Sequence, residues 1–542
     1  MFTSIFSREP YNRPKYRYRY HSPYKFPISD QLYRLCRLSC SIIPPILAYP
    51  FPSEIYYKTV YSFFANNGYV VMKLGQWLAT RTDLLSIGLC KVLSTLHNEA
   101  PAHPFVDTLE ILRNEMYDIS LFHFVTHKPI GSGSVAQVYK VIINDEIRTF
   151  SFFWKHLFNF PQNFFLTDSR QIDTKLDRTK NSREILRKHG HKTLAIKIIH
   201  PNTTKDVYLD CQILTNAAKV LSVIPALSCL NINEQILHFQ NEILKQIDLT
   251  GEERNMKVMR HLTRYDKNIL IAEPIMATKN VLIMEYLEGE SIVSRSGRMS
   301  NQIDNNRTNN EKTGLPLHDT KNESSKEFSK NKNMNFGLFK KQNHSLSVTA
   351  LTFFVKSLFY NEFIHTDLHP GNVSVTKSNK LILYDFGLTK FLSHAEHRNL
   401  IDLFCSLFIE KNGLIVGDLL VERLACNKNV DKKKFRGEIN ELINHYFKQV
   451  LRMNGNSTRN DAYMITKEYG FKAIRLFNKY NVKIDYKYNQ LFVTAFCFDG
   501  ILRQIQPDCT FYGELDQLIW KFGPTLYLLK QHMVRKLFGL GK

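Results

Sequence analysis

Two short polar segments, each beside an apolar strand-like run, constrain this chain more than anything else in its 542 residues. The first is His365-Thr366-Asp367-Leu368-His369-Pro370-Gly371-Asn372. The second, about a hairpin's length downstream, is Tyr384-Asp385-Phe386-Gly387. Phosphoryl transfer from ATP needs a carboxylate that orients or deprotonates the acceptor. It also needs an amide oxygen and a second carboxylate to hold magnesium on the phosphates. Asp367 is the catalytic candidate, and Asn372 and Asp385 are the candidate metal ligands, in the order that chemistry requires. Either segment alone reads equally well as a turn at a strand end; the two at this separation do not.

The remaining parts of such a site lie upstream. Thr193-Leu194-Ala195-Ile196-Lys197 puts a lysine at the inward end of a strand, where a cation is needed on the alpha and beta phosphates. A carboxylate on a nearby helix must fix that lysine, and the helical stretch 232–261 offers Glu242, Glu252 and Glu253. Ile130-Gly131-Ser132-Gly133-Ser134-Val135-Ala136-Gln137-Val138 fits a Gly-x-Gly-x-x-Gly-x-Val loop with Ala136 at the third glycine. Glycines there let backbone N–H groups approach phosphate oxygens. Alone, such a loop is more often a hairpin turn; its place between two strand runs and ahead of Lys197 gives it weight. Ile130 to Ser134 and Val138 are therefore candidate nucleotide contacts. Leu282 to Gly289 reads as the strand and connector between two lobes, with the backbone around Glu285 and Leu287 facing adenine.

Helical periodicity runs through 54–100, 105–117, 205–224, 232–261, 346–362 and 394–535. Strand-like runs fall at 121–130, 135–143, 194–199, 268–273, 281–286, 373–375 and 381–384. The length implies a two-lobed core with extensions. The chain divides into a basic segment 1–30, a helical extension 31–118, a first lobe 119–290 with a polar insertion 145–192, a polar insertion 291–345, and a second lobe 346–542. Residues 294–343 are rich in Asn, Lys, Ser, Arg and Glu and bury too little apolar surface to offset their ordering entropy, which predicts a disordered insertion.

The formal net charge is +22. Such a balance suits nucleic acid, an anionic membrane surface, or basic loops with a targeting segment. No RNP-type, zinc-finger or helix-turn-helix signature is present, so nucleic acid is not an expected partner. The first thirty residues set Arg8, Arg13, Lys15, Arg17, Arg19 and Lys25 against Glu9 and Asp30, as a mitochondrial presequence would. The same composition also fits a basic disordered tail. Nine cysteines form no CxxC pair, which predicts free thiols in a reducing compartment. Leu38 to Pro52 is the most apolar run near the start, but it is short and broken by prolines. It is expected at an interface rather than across a bilayer.

The motif His-x-Asp-x-His-Pro-Gly-Asn at 365–372 departs from the usual protein-kinase loop and resembles the aarF/UbiB (ABC1) atypical kinases. Lys73-Leu74-Gly75-Gln76 with Arg81-Thr82-Asp83-Leu84-Leu85 agrees, as does Asp248 through Glu252, Glu253 and Asn255. The resemblance spans roughly 54–520 outside the insertions, and its branch most resembles aarF-domain-containing kinase two. It implies an α+β, bilobal protein-kinase-like fold with an N-terminal helical extension and a helical C-lobe. It implies magnesium and ATP as cofactors and a role in coenzyme Q (ubiquinone) biosynthesis at the matrix face of the inner mitochondrial membrane, held peripherally. A quinone-like lipid, an anionic membrane surface and coenzyme Q biosynthesis proteins are the expected partners. Lys73, Gln76 and Asp248 become regulatory candidates, with the extension folded over the peptide groove. Glu252 best matches the lysine-pairing glutamate, with Glu253 the second choice. Where many members have Glu-x-Asp, this chain reads Gln246-Ile247-Asp248, which leaves Asp248 as the expected sole partner of Lys73. Gly131 and Gly133 stand where many members have alanines, nearer to ordinary kinases. A protein serine/threonine kinase and a nucleotide-binding scaffold without catalysis are the competing readings.

Overall fold

The structure, a computed structural model, describes residues 24–51, 53–79, 86–97, 102–115, 119–143, 186, 193–222, 232–295, 344–425, 430–453 and 459–506. The expected presequence lies mostly outside these residues, as do nearly all of both polar insertions and everything beyond 506.

The upper lobe is an antiparallel sheet. Its strands are β1 (Phe122–Phe124), β2 (Gly131–Ser132), β3 (Ala136–Ile143), β4 (Thr193–Ile199), β6 (Pro274–Ala277) and β7 (Val281–Glu285). The order is β1-β3-β4-β7-β6, with β2 folded back onto β3. Central β4 is buried along its length except at Thr193 and Lys197. That is why one charged side chain is presented at one defined place. The β2–β3 turn pairs Gly131 with Val138 and Ser132 with Gln137, so the glycine loop is a hairpin over the end of the sheet. The expected strand 121–130 shrinks to β1, because the chain must leave the sheet edge to enter that hairpin.

The stretch expected as one helix over 232–261 is two, Ile232–Gln246 and Leu249–Thr263. Asp248 ends the first and caps the second, accepting from the Thr250 N–H at 3.1 Å and the Thr250 hydroxyl at 2.6 Å. An aspartate at an N-cap satisfies donors that the first turn leaves open.

Below the sheet, β5 (Ile269–Ile271), β8 (Glu290–Ser291), β10 (Val373–Val375) and β11 (Leu381–Leu383) form a second sheet in the order β5-β11-β10-β8. β9 (Phe363–His365) pairs with β12 (Thr389–Phe391). These short strands bracket the two polar segments and turn both towards the cleft. Helices 344–359, His394–Phe404, Gly413–Leu419, Lys432–Met453, Arg459–Lys479 and Tyr486–Ile505 complete the lower lobe. This is the bilobal kinase-like arrangement with a helical lower lobe.

The periodicity over 54–100 resolves into Ser53–Asn66, Tyr69–Ala79, Ile87–Leu93 and a turn of 3-10 helix at Ser94–His97. The first break falls at Gly68, whose φ of +88° favours glycine. Another helix, Ile28–Ala48, precedes them and runs through Pro44 and Pro45. The Tyr69–Ala79 helix docks Val70 among Val207, Cys211, Phe239, Ile243 and Ile247. This brings the extension against the upper lobe beside the cleft. Gly75 makes its packing possible, since a Cβ there would lie 2.7–2.8 Å from Phe64 and Leu96.

Candidate active site

Three elements bring three charges together. Lys197 from β4 donates to both carboxylate oxygens of Glu252, at 2.9 and 2.8 Å, and lies 3.5 Å from Asp385. Glu252 sits in the first turn of the helix that Asp248 caps, and its side chain is buried. Glu253, one residue on, instead pairs along the surface with Lys257 at 2.7 Å. Glu242 pairs with Lys245 at 2.8 Å. Of the three glutamates open to sequence reasoning, geometry joins Glu252 to Lys197. Burial works against the charge on Lys197, but Asp385 and Glu252 more than offset it, so the ammonium holds its proton more tightly than an ordinary lysine. Burial also pushes Asp385 up; Lys197, the Gly387 N–H, His365 and Lys73 reverse this and hold the carboxyl well below the usual range. It is a permanent anion.

Asp385 has φ +54°, in the left-handed region that non-glycine residues seldom enter. Two bonds hold this conformation: Gly387 N–H donates to Asp385 Oδ1 at 3.2 Å, and Asn255 Nδ2 donates to the Phe386 carbonyl at 2.8 Å. Backbone strain of this kind persists where the surroundings enforce it, commonly at functional sites. Phe386 is fully buried and packs against His365. His365 links the two segments by accepting from the Asp367 N–H through Nδ1 at 3.3 Å and donating from Nε2 to the Tyr384 carbonyl at 3.3 Å. Burial lowers its pKa, which keeps the neutral tautomer those bonds require. Asn372 Nδ2 donates to the Asp367 carbonyl at 3.1 Å, which leaves Oδ1 as its free ligand atom. Asn372 and Asp385 supply a hard, oxygen-only donor pair of the sort magnesium takes.

The glycine loop fits phosphate. A Cβ on Gly131 would meet nothing within 4 Å, and one on Gly133 would make only an ordinary contact. Neither glycine is demanded by the protein's own packing. Ser132 Oγ is buried without a hydrogen-bond partner among the described residues. A buried hydroxyl left in this way is open to a further partner, such as a phosphate oxygen. Ile130 N–H bonds the Val138 carbonyl at 2.8 Å, which fixes the loop's base. At the connector, the Tyr384 hydroxyl donates to the Leu287 carbonyl at 3.4 Å, and Glu285 closes β7 opposite Leu194.

The regulatory candidates sit otherwise than expected. Lys73 Nζ lies 3.8 Å from Asp367 Oδ2, not against Asp248, whose carboxylate is engaged in its helix cap. Gln76 is buried and donates to the Leu96 carbonyl at 2.9 Å, so it braces the extension internally. Gln246, the departure from Glu-x-Asp, accepts from the Tyr69 hydroxyl. Tyr69 is one helical turn before Lys73 and so shares its face. Burial, then the charges of Asp367 and Asp385, push its pKa well above the ordinary value, so it stays a neutral donor. A neutral glutamine suits a neutral tyrosine; the i, i+4 spacing from Lys73 was the only signal for it.

Two histidines that no sequence motif marked anchor the glycine loop from behind. His200 Nε2 donates to the Gly133 carbonyl at 2.8 Å, so in the neutral ring its Nδ1 accepts. His103 Nδ1 lies 2.7 Å away, and His103 Nε2 shares a hydrogen bond with the Thr108 hydroxyl at 2.8 Å. Burial and the neighbouring ring push His103 down to about 4, which preserves that relay.

A profile of the ABC1 atypical kinase-like domain matches residues 186–416. The match takes in Lys197, Glu252, Asp367, Asn372 and Asp385, while the glycine loop and Lys73 precede it. The chain is similar to a probable serine/threonine-protein kinase, abkC, of Dictyostelium discoideum, at 23% identity over 64% of this chain and 39% of that protein. It is similar to a mitochondrial ABC1 family protein of Schizosaccharomyces pombe, at 24% over 81% of this chain and 62% of that one. It is also similar to AarF domain-containing protein kinase 1 of Xenopus laevis, at 23% over 62% of this chain and 49% of that one. The chain thus spans between about two fifths and three fifths of the length of these relatives. The profile match covers somewhat under half of the chain, and the bilobal kinase-like fold around it agrees with that likeness.

Proposed function

We propose that this chain binds magnesium-ATP as an atypical kinase or ATPase supporting coenzyme Q or related lipid metabolism in mitochondria. The observation that carries the reading is Lys197 held between Glu252 and Asp385, at 2.8 and 3.5 Å. A buried lysine fixed by one carboxylate, beside a second that is 47% open to the cleft, is arranged to hold phosphate next to a metal. Lys197 and the Ser132 hydroxyl would hold phosphate oxygens, Asn372 and Asp385 the magnesium ion, and the backbone at Glu285 and Leu287 the adenine. Magnesium would neutralise charge on the phosphates. Asp367 would take the proton of an incoming hydroxyl or water. The mitochondrial and quinone parts of the reading rest on the resemblance of the motifs and on the mitochondrial S. pombe relative.

Lys73 bears on which kinase activity is available. Its ammonium occupies the approach to the Asp367 carboxylate, where an acceptor hydroxyl would have to arrive. In this arrangement the chain is a poor protein kinase and a nucleotide binder under restraint. The glycines at 131 and 133 favour the protein-kinase alternative; the Lys73–Asp367 contact opposes it.

The test is thermal stability with and without magnesium-ATP. Ligand at a hundredfold excess over Kd should add about 2.7 kcal/mol to stability. Asp385→Ala should remove the magnesium-dependent part while leaving the fold intact. An equal magnesium-dependent shift in that variant would remove the metal assignment.

A further inference from the structure

His200, the first residue past β4, holds the tip of the glycine loop twice. Its backbone N–H donates to the Val135 carbonyl at 2.9 Å, and its ring Nε2 donates to the Gly133 carbonyl at 2.8 Å. The Gly133 N–H is engaged as well, on the Ala136 carbonyl at 2.9 Å. A peptide is planar and trans, so its C=O and N–H point opposite ways. Fixing the Gly133 carbonyl on His200 therefore aims the Ser134 N–H, in the same peptide, away from the histidine. His103 places His200 in turn. The two Nδ1 atoms are 2.7 Å apart and the rings meet edge to face, 5.0 Å between centroids. Gln137 of β3, fully buried, pins the backbone of His103: its Oε1 accepts from the His103 N–H at 3.0 Å, and its Nε2 donates to the His103 carbonyl at 3.3 Å. Gln137 also pairs with Ser132 across the β2–β3 hairpin. The contacts leave the loop at Gly133 and return to it at Ser132. Burial lowers the pKa of both rings, against Asp107 at His103 and the Gly133 carbonyl at His200.

We propose that His200, braced by His103 and Gln137, is a positioning residue for nucleotide binding: it presets the Gly133–Ser134 peptide so that its N–H meets an oxygen of the nucleotide's terminal phosphates. The inference rests on the nucleotide-binding reading above and names the residue that tunes it to the polyphosphate end. Backbone N–H groups bind an anion well only where the loop holds them in place, and ordering a loose loop on binding costs affinity. Gly131 and Gly133 do not stiffen the loop by packing, since a Cβ on either would meet nothing closer than 3.6 Å. The order has to come from outside the loop, and His200 supplies it. The adenine end lies elsewhere along the same strand. Leu194 pairs with Glu285, and the Tyr286 N–H donates to the Thr193 carbonyl at 3.1 Å. His200 follows the opposite end of β4, roughly 20 Å of extended chain away. Its effect is therefore confined to the phosphates.

Equilibrium titration of the full chain with magnesium-ATP, magnesium-ADP and AMP tests it. His200→Ala should weaken magnesium-ATP about tenfold, as the loss of one well-placed hydrogen bond would. Magnesium-ADP should be weakened less and AMP hardly at all. His103→Ala should weaken magnesium-ATP several-fold with the same ranking, because it loosens the ring without removing its donor. His200→Gln, which keeps an N–H near the place of Nε2, should restore most of the affinity. His123→Ala, at an exposed position on β1, should change nothing. A loss of equal size for all three nucleotides would make the histidines supports of the fold alone and overturn the positioning role. Unchanged magnesium-ATP affinity in His200→Ala would overturn it too, while sparing the nucleotide reading. No binding of any of the three by wild type would overturn that reading and this inference with it.

Discussion

Two lysines face two aspartates across this cleft, and they are built to opposite standards. Lys197 is gripped by both oxygens of a buried glutamate and shared with Asp385, on elements fixed by sheet pairing and a capped helix. Lys73 reaches Asp367 at 3.8 Å from a separate layer of helices, with both side chains partly open to water. The first pair is a permanent part of the lobe. The second is made by a helix that packs on one side within the extension, beside the cluster of Val60, Leu89, Leu93 and Leu96, and on the other against the lobe, where Val70 meets Val207, Phe239 and Ile243. Strong pairing makes a binding site; weak pairing makes a restraint that can be released.

The contrast is broken most directly at Glu252. Removing one partner of a buried ion pair leaves the other charge uncompensated and costs about 3–5 kcal/mol. Because Asp385 remains near Lys197, Glu252→Ala should sit at the low end, about 3 kcal/mol by denaturant unfolding. Nucleotide affinity should fall with it, since the freed lysine is drawn onto Asp385. Glu253→Ala should do neither. If the two variants match, the pairing drawn here is wrong.

The next effect belongs to the extension. Gly75→Ala places a methyl 2.7–2.8 Å from Phe64 and Leu96. Overpacking of this kind costs about 1–3 kcal/mol. The loss should be confined to the extension: its amides should gain hydrogen exchange while those of β3 and β4 stay protected. Uniform loss of protection would mean that the extension and the lobe unfold as one unit, and that the restraint is not separable from the site.

How much of this was legible beforehand follows the range of each interaction. Lys197, Asp367, Asn372 and Asp385 stood out because each lies in a short segment of the residue types that phosphoryl transfer would require, and the apolar runs beside them announced the strands. Periodicity alone left Glu242, Glu252 and Glu253 open, because it hid the break at Asp248; the resemblance chose Glu252. The partner of Lys73 was misplaced for the same reason. A charge-matching argument selected Asp248, but the backbone of the next helix had already engaged its carboxylate. His103 and His200 lie 97 residues apart and meet only through the sheet. Nothing local distinguishes either from any other histidine. The helix Ile28–Ala48 lies ahead of the periodicity read in the sequence, and its Arg34 is held by Asp210, far along the chain.

The smallest effect on stability should come from Lys73 itself, and it is the sharpest test of the comparison. A pair at 3.8 Å between partly exposed side chains is worth no more than about 1 kcal/mol, so Lys73→Ala should leave the melting temperature almost unchanged. Its consequence should lie in turnover. With the ammonium gone, the Asp367 carboxylate loses the cation at its approach, so ATP hydrolysis or self-phosphorylation should rise several-fold. Nucleotide affinity should change little, because Lys197, Glu252 and Asp385 are untouched. Lys73→Arg should retain most of the restraint, and Asp248→Asn should not mimic its loss, since that residue caps a helix. The measurement is steady-state ATP turnover and ATP affinity across wild type and these three variants. A fall in turnover with Lys73→Ala would make Lys73 a contributor to the chemistry instead of a restraint on it. An unchanged turnover would mean that the extension rests on the cleft without governing it, and the two lysines would then differ only in strength.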